Sequence, residues 1–521
     1  MLLAIALISW KWIEAENAKK IALIQKEKAI KTREAAEGVI NKVLFELKDE
    51  LKKTGNLDTL KIAYNAVKEY YDKLGNTDNS PEIKRRIMVF YGNMGNYYRA
   101  LGNLQRAKEY YNKAFEIAKE LIKAEPNNTL FKNDLSVSYN KLGDLYIALG
   151  NLQRAKEYYE KALNIREELT KLEPNNSEWK SDLSISYERL GDFYKALGDL
   201  QKAKEYYEKA LNIRKELTKL EPNNSKWKRD LSGSYERLGD FYKAIGNLER
   251  AKEYYKKSLK NWQELISIEP KNTDWKRGIT IPYERLGDLF IAQGNLDKAK
   301  EYYKKALNIR KELTKLEPNN AKWKRDLSIS YNKLGDFYKA IGNLERAKEY
   351  YKKALNIIKE LTKLEPNNAK WKRDLSVSYE RLGDFYKTQG NLEKAKEYYK
   401  KLINNSLELT KLEPNNAQWK RDLSVSYNKL GDLYKALGNL QKAKEYYEKA
   451  LNIRKELTKL EPNNAQSKRN LIGSYIRMYM VTNNKEYLKK AYNILKEMKA
   501  NGALKPTDEK FLKMFEEELN R

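Results

Sequence analysis

The sequence predicts an all-α protein in which helical hairpins stand in a row. Three observations predict it. Glu-Pro pairs recur with prolines at Pro126, Pro174, Pro222, Pro270, Pro318, Pro366, Pro414 and Pro462, each 48 residues from the next. A period of that length marks an array of supersecondary units rather than one globular core. Between prolines the apolar residues step by three and four: Trp323, Leu327, Tyr331, Leu334, Tyr338 and Ile341, then Leu344, Ala347, Tyr351, Ala354, Ile358 and Leu361. Those steps describe two one-faced helices. Gly342-Asn343 separates them as a stop and a new cap, and Asn319-Asn320 caps the first helix behind a proline. Each helix is roughly 20 residues, about 30 Å long. One hairpin cannot cover both stripes, so neighbouring copies must cover them.

Small residues at fixed places sharpen the assignment. Gly335 sits mid-helix, where glycine costs about 1 kcal/mol relative to alanine. Ala347 and Ala354 lie where two helix backbones would approach closely. Tyr331, Leu334-Gly335, Tyr338, Gly342, Ala347, Tyr351 and Ala354 together resemble the tetratricopeptide repeat signature: aromatic, Leu-Gly, aromatic, then Ala, aromatic, Ala. The usual unit has about 34 residues; this one is longer, with both helices extended beyond the signature. The resemblance covers most of the chain. It implies a right-handed superhelical solenoid of antiparallel helix pairs whose first helices line a concave, partner-binding surface. The arrangement is also similar to the C-terminal repeat region of prokaryotic multidomain signalling proteins, in which a membrane span leads through an Ala-rich helix into extended repeats.

The elements follow in order. Residues 1–35 hold an apolar segment and a helical stalk. Met1 to Ile13 carries no charge before Lys11; thirteen helical residues fall short of the roughly 30 Å hydrocarbon core. The segment lacks the basic start and small-residue cleavage site of a secretory signal. Three readings stand: the tail of a membrane span that starts upstream, an interfacial anchor carrying Trp10 and Trp12, or an apolar terminus packed on the first helices. Lys11, Lys19, Lys20, Lys26 and Lys28 follow, so a tethered chain would keep the array in the cytoplasm. Glu14 to Arg33, without Gly or Pro, reads as one helix. Residues 36–80 form a degenerate helical pair, Ala35–Lys53 and Leu57–Leu74 joined at Gly55-Asn56. There Leu60 replaces the small alanine, and Gly55 lies 47 residues before Gly102. A loop to Pro81 ends it.

Eight 48-residue repeats occupy 81–462, with mid-helix glycines from Gly95 to Gly431 and with Trp179, Trp227, Trp275, Trp323, Trp371 and Trp419 opening the first helices. Residues 463–521 are a degenerate ninth pair, with Ser467 for Trp and Tyr479 for Gly, and a final helix, Lys510 to Asn520, capped by Thr507-Asp508-Glu509. Altered terminal units blunt the open end of an array.

Composition bounds the chemistry. Cysteine and histidine are absent, so no disulfide, Cys/His metal site, Cys nucleophile or His base is available. No phosphate loop, carboxylate pair or nucleophile elbow stands out. The chain is expected to be no enzyme and to hold no cofactor or metal. The formal charge is +30, which suits acidic partners, nucleic acid or anionic lipid; equally, lysines on solvated faces account for it.

Candidate binding residues lie on the first helices. Arg189, Asp192 and Lys195 stand three apart on one face, and the rung recurs as Arg237, Asp240, Lys243 and Arg381, Asp384, Lys387. Arg285 with Asp288, Lys333 with Asp336 and Lys339, and Lys429 with Asp432 and Lys435 vary it. Such a ladder grips a polar or acidic peptide; its alternative is surface pairs that neutralise one another for a few tenths of a kcal/mol. Departures from the repeat mark a second candidate. Gly278 replaces Asp and Pro282 replaces Ser in a first helix, which should kink it or delay its start. Trp262 interrupts the second helix just before, and Leu402 replaces the small alanine near Asn404-Asn405. A bend with an added indole marks a partner pocket, or drift in one copy. In Tyr pairs such as Tyr350-Tyr351 one ring should be core and its neighbour half-exposed. Exposed rings amid lysines stack bases in some nucleic-acid binders, though helical spacing makes packing their default. Asn127-Asn128-Thr129 and Asn175-Asn176-Ser177 match the glycosylation sequon but read as helix caps. The sequence therefore points to a non-enzymatic scaffold for a protein or peptide partner, with a basic nucleic-acid-binding solenoid as the alternative.

Overall fold

The computed structural model describes residues 2–42, 57–101, 103–460, 462, 464–500, 504 and 506–520. Every regular element among them is a helix. They form two compact units, residues 1–77 and 78–521.

In the N-terminal unit a single helix runs Leu2–Asn41, longer at both ends than the stalk read from sequence, and it continues without a break across residue 35. Another helix covers Leu57–Thr77, burying Tyr64, Val67 and Tyr71 at helical spacing. Lys53, Gly55-Asn56 and Gly102, on which the sequence reading of the degenerate pair leaned, lie outside the described residues, as does the side chain of Leu60.

The larger unit is the array. Its nine copies have first helices of 18–21 residues and second helices of 16–21, from Pro81–Ala100 with Leu104–Ala124 to Ala465–Thr482 with Lys485–Ala500. Each helix packs on its chain neighbours, so the copies form consecutive antiparallel pairs. The caps fall where the sequence places them. Asn320 accepts from the N–H groups of Lys322 and Trp323 at 3.0 and 3.2 Å, and Asn343 from that of Arg346 at 3.2 Å. Gly342, at φ 77°, takes the left-handed turn between them. Ile341, read as part of the apolar stripe, is instead exposed at the helix end. The mid-helix glycine is explained by contact: a Cβ on Gly335 would lie 2.5 Å from the Tyr351 ring. The last helix is Pro506–Asn520, starting earlier than Lys510, with Asp508 in its first turn bound to Arg469 at 2.8 Å.

Buried arginines bolt copies together. Arg214, in the second helix of copy 3, donates to Glu188 at 2.6 and 2.9 Å and to Ser184 at 3.2 Å on its own first helix. It also reaches the Asp230 carbonyl at 2.7 Å and Ser234 at 3.0 Å on the next copy. Arg310 repeats this with Thr280, Glu284, Asp326 and Ser330. In the Arg166 and Arg454 copies the residue matching Glu188 is Asn140 or Asn428, and burial pulls both guanidinium pKa values down to about 10.

Loops distant in sequence also meet within the array. Glu413, in a Glu-Pro turn, accepts from the Leu104 N–H at 2.8 Å across 309 residues, between six and seven copies away. Burial pushes its pKa up to about 7 against that single hydrogen bond. Ala465 likewise lies against Gly198. The residue after the capping asparagine of each Glu-Pro turn is Thr129, Ser177, Ser225 or Thr273 in copies 2–5 and Ala321, Ala369, Ala417 or Ala465 in copies 6–9. The four alanines are buried; the four hydroxyl residues are half-buried.

Candidate functional site

Along the first helices the ladder of charge is present, but its rungs join copies rather than residues of one helix. Asp192 accepts from Arg237, 45 residues on, at 2.7 Å. Asp240 takes a two-point contact from Arg285 at 2.7 Å each, Asp288 binds Lys333 at 2.8 Å, Asp336 binds Arg381 at 3.2 Å, and Asp384 binds Lys429 at 2.7 Å. Arg189 reaches back to Asp144 at 3.2 Å.

Each of these aspartates also accepts from a buried tyrosine of its own second helix, as Asp192 does from Tyr207 at 2.7 Å and Asp384 from Tyr399 at 2.6 Å. Burial raises these phenols' pKa values, and the aspartates raise them further. Burial likewise pushes the Asp240 carboxyl up, but the Arg285 guanidinium and the Tyr255 hydroxyl outweigh it and its pKa ends below the usual value. The aspartates are thus fully engaged. Lys243 lies 3.5 Å from Asp288, whereas Lys195, Lys339 and Lys387 form no ion pair among the described residues.

The tyrosine pairs divide as the sequence implies. Tyr351 is core and Tyr350 half-buried. The half-buried ring is occupied: Tyr350 stacks on Tyr338 with centroids 5.5 Å apart, and Lys353 lies over it at 5.6 Å. Asn128 and Asn176 serve as caps.

The departures assemble into one cluster. Trp262 does not interrupt its helix, Leu248–Ile268; it is buried at the position of Arg166, Arg214 and Arg310. A Cβ on Gly278 would collide with its ring, so the aspartate found there in other copies has made way for the indole. Glu236, whose counterpart of Arg214 is the Trp262 indole, accepts from Trp262 Nε1 at 3.1 Å and from Ser258 at 2.9 Å; burial raises its pKa, and the Arg285 guanidinium, 3.9 Å away, offsets part of that. Ser258 stands where Ala210 and Ala306 stand in neighbouring copies; the sequence reading passed over it, though the substitution was visible.

Pro282 follows the same logic. In other copies a serine there accepts from the buried arginine, as Ser234 and Ser330 do, and beside Trp262 there is no such donor. The helix nonetheless begins in register at Thr273 and runs through Pro282 to Ala292, so its start is not delayed. Leu402 is buried in a separate substitution set, where Ser406 replaces the arginine and Asn405 donates to Ser376 at 2.8 Å.

Against the first cluster lies a cleft of about 510 Å³, with Arg229, Gly233, Arg237, Trp262, Trp275 and Gly278 in its wall. Among the described residues no group of acidic side chains could hold a metal ion, and no helix is long and apolar enough to cross a membrane.

A tetratricopeptide repeat family model matches residues 86–168, 182–257, 278–360 and 374–456, together more than half of the chain. The second match ends one residue before Ser258 and the third begins at Gly278, so the segment with Trp262 falls between them. A search of the curated proteins finds no significant match. Among solved structures, BtubC (BKLC) from P. vanneervenii is similar at 25% identity over 50% of this chain and 92% of that one, with a TM-score of 0.40. A Signal Transduction ATPase with Numerous Domains protein with a tetratricopeptide repeat sensor, from Pyrococcus horikoshii, is 18% identical over 84% of this chain and 56% of that one, with a TM-score of 0.41. A Rap protein complexed with competence and sporulation factor is 15% identical over 81% and 99%, with a TM-score of 0.43.

Proposed function

The chain belongs to the tetratricopeptide repeat family, and from that premise we propose that it is a non-enzymatic scaffold whose first-helix face holds an acidic peptide or protein segment. The observation that carries this is the state of the ladder. Its aspartates bind tyrosines and the next copy, while Lys195, Lys339 and Lys387 form no direct ion pair at a repeating position among the described residues. A partner on that face meets ammonium groups held by no carboxylate in direct contact, which favours carboxylates. The contacting residues are Lys195, Lys339 and Lys387, with Arg189, Arg237, Arg285, Lys333 and Arg381 as the positions that join the copies.

The experiment is a titration of a fluorescent Asp/Glu-rich peptide into the full chain and into a variant with all three lysines changed to glutamate. The reading predicts at least tenfold weaker binding at an unchanged unfolding temperature. Equal affinity in the two proteins sinks it.

Nucleic acid is the second reading, supported by the net charge of +30. It predicts affinity that falls steeply with salt; the stacked, lysine-covered tyrosines leave few ring faces for bases. A role as the interaction region of a membrane-tethered signalling protein completes the proposal. It rests on the exposed Trp10 and Trp12 of the first helix and is tested by flotation with anionic vesicles, which Trp10→Ser with Trp12→Ser should abolish.

A further inference from the structure

The cleft beside copies 4 and 5 coincides with two missing side chains, the second of which made way for the Trp262 ring. Position 233 is glycine where Ile185, Ile281 and Ile329 stand in other copies, and a Cβ there would meet nothing nearer than Arg214 at 3.8 Å. Position 278 is glycine where Asp326 and Asp374 stand. The second loss also takes from one cation the inter-copy partner that its counterparts have. Arg277 binds Asp326, and Arg325 binds Asp374, at 2.5 Å each and 49 residues apart; Arg373 binds Asp422 at 2.8 Å in the same register. The partner due to Arg229 would be residue 278. Arg229 turns instead to its chain neighbour Asp230 at 2.9 Å and stays about half exposed. The same local exchange that removed this carboxylate placed the Trp262 indole beside Trp275, ring centroids 6.0 Å apart.

We propose that this cleft binds a small aromatic anion, a planar ring bearing a phosphate or carboxylate, with the ring against Trp262 and Trp275 and the anionic group on the Arg229 guanidinium. A volume of about 510 Å³ falls within the roughly 300–1,000 Å³ of small-molecule sites; the wall is largely charged, four arginines with Glu188, Asp230 and Asp274, and the two indoles are its aromatic part. Indole faces favour offset or edge-on rings, and guanidinium is the cation whose planar fork matches phosphate and carboxylate. The ordinary junctions have neither feature: a buried arginine such as Arg214 stands in the place of the indole, and the aspartate in the place of Gly278 takes the counterpart of Arg229. This site stands independently of the acidic-peptide reading, since none of Lys195, Lys339 and Lys387 contributes to it.

The test is isothermal titration of the full chain with phenyl phosphate, with inorganic phosphate and phenol as half-probes, against Gly233→Ile and Arg229→Gln. Isoleucine at 233 fills the cleft with the residue its neighbours carry, so folding is preserved, and thermal unfolding of each variant verifies this. The expected result is saturable binding of phenyl phosphate, at least tenfold tighter than either half-probe, and at least tenfold weakened by each substitution at an unchanged unfolding temperature. No saturable binding, equal binding of inorganic phosphate, or affinity unchanged in both variants overturns the proposal.

Discussion

Two neighbouring junctions of the array are built on opposite chemistry. Between copies 3 and 4 a buried guanidinium, Arg214, is satisfied by Glu188, two serines and a carbonyl. Between copies 4 and 5 the same place holds Trp262, its aspartate neighbour has become Gly278, its serine acceptor Pro282, and an alanine has become Ser258 to serve Glu236. The helices keep their bounds in both. The difference teaches that a junction tolerates an ion or an indole provided the residues that would clash with it or lose their donor change with it, while Glu236 stays and takes the indole N–H. The departures read from sequence as a bend or as drift are one coupled exchange, and its by-product is an open cleft.

The largest way to break the comparison is at the ionic junction. Arg214→Ala leaves the buried Glu188 with Arg237 alone, at 3.3 Å, and is expected to destabilise the array by about 3 kcal/mol, the low end for breaking a buried pair, read by urea unfolding. Arg214→Met with Glu188→Leu should recover most of that loss, because neither charge then remains to be desolvated. At the indole junction, Gly278→Ala drives a methyl into the Trp262 ring and should cost about 1–3 kcal/mol; Gly278→Ala with Trp262→Leu should relieve it. If Gly278→Ala is neutral, the coupling between the two positions is wrong.

A second pair of regions gives smaller effects. Glu413 sits at a contact between distant loops, and burial raises its pKa to about 7, above its roughly 4.3 in an unfolded chain. The folded state therefore holds the proton more tightly, and this contribution is complete below about pH 4 and is lost as pH rises through about 7. Glu413→Gln is expected to flatten that segment of the stability profile between about pH 5 and 8, measured by thermal unfolding. Smallest is the loop exchange. Ala465→Ser buries a hydroxyl at the Gly198 contact and should lower the unfolding temperature slightly, whereas Ser177→Ala, at a half-buried helix start, gives up only an exposed hydrogen bond to Glu221 at 3.1 Å and should move it less.

The period, the helix bounds, the caps and the core tyrosines were legible because each follows from local rules repeated at one spacing. The ladder was half legible. Spacing of three put Arg189, Asp192 and Lys195 on one face, but the bonds run 45 residues away, and no single-helix argument supplies that distance. Trp262, Gly278 and Pro282 were visible as departures while their mutual contact was not, since 16 to 20 residues spanning a helix end, a turn and a helix start separate positions that only the stacking of copies brings together. The alanines at the late turns stood in plain sight too. They acquired meaning only with the contacts of Glu413 and Ala465, which depend on how many copies pass before loops meet.

Copies hold one another up across both kinds of junction, so neither kind is a weak link. Native-state hydrogen exchange on the full chain tests this most directly. Amide protection in the second helices of copies 3 to 6 should be similar, with Leu248–Ile268 as protected as Leu200–Leu220 and a fall only in the terminal copies. Fast exchange confined to Leu248–Ile268 and Thr273–Ala292, with slow exchange on both sides, would contradict it.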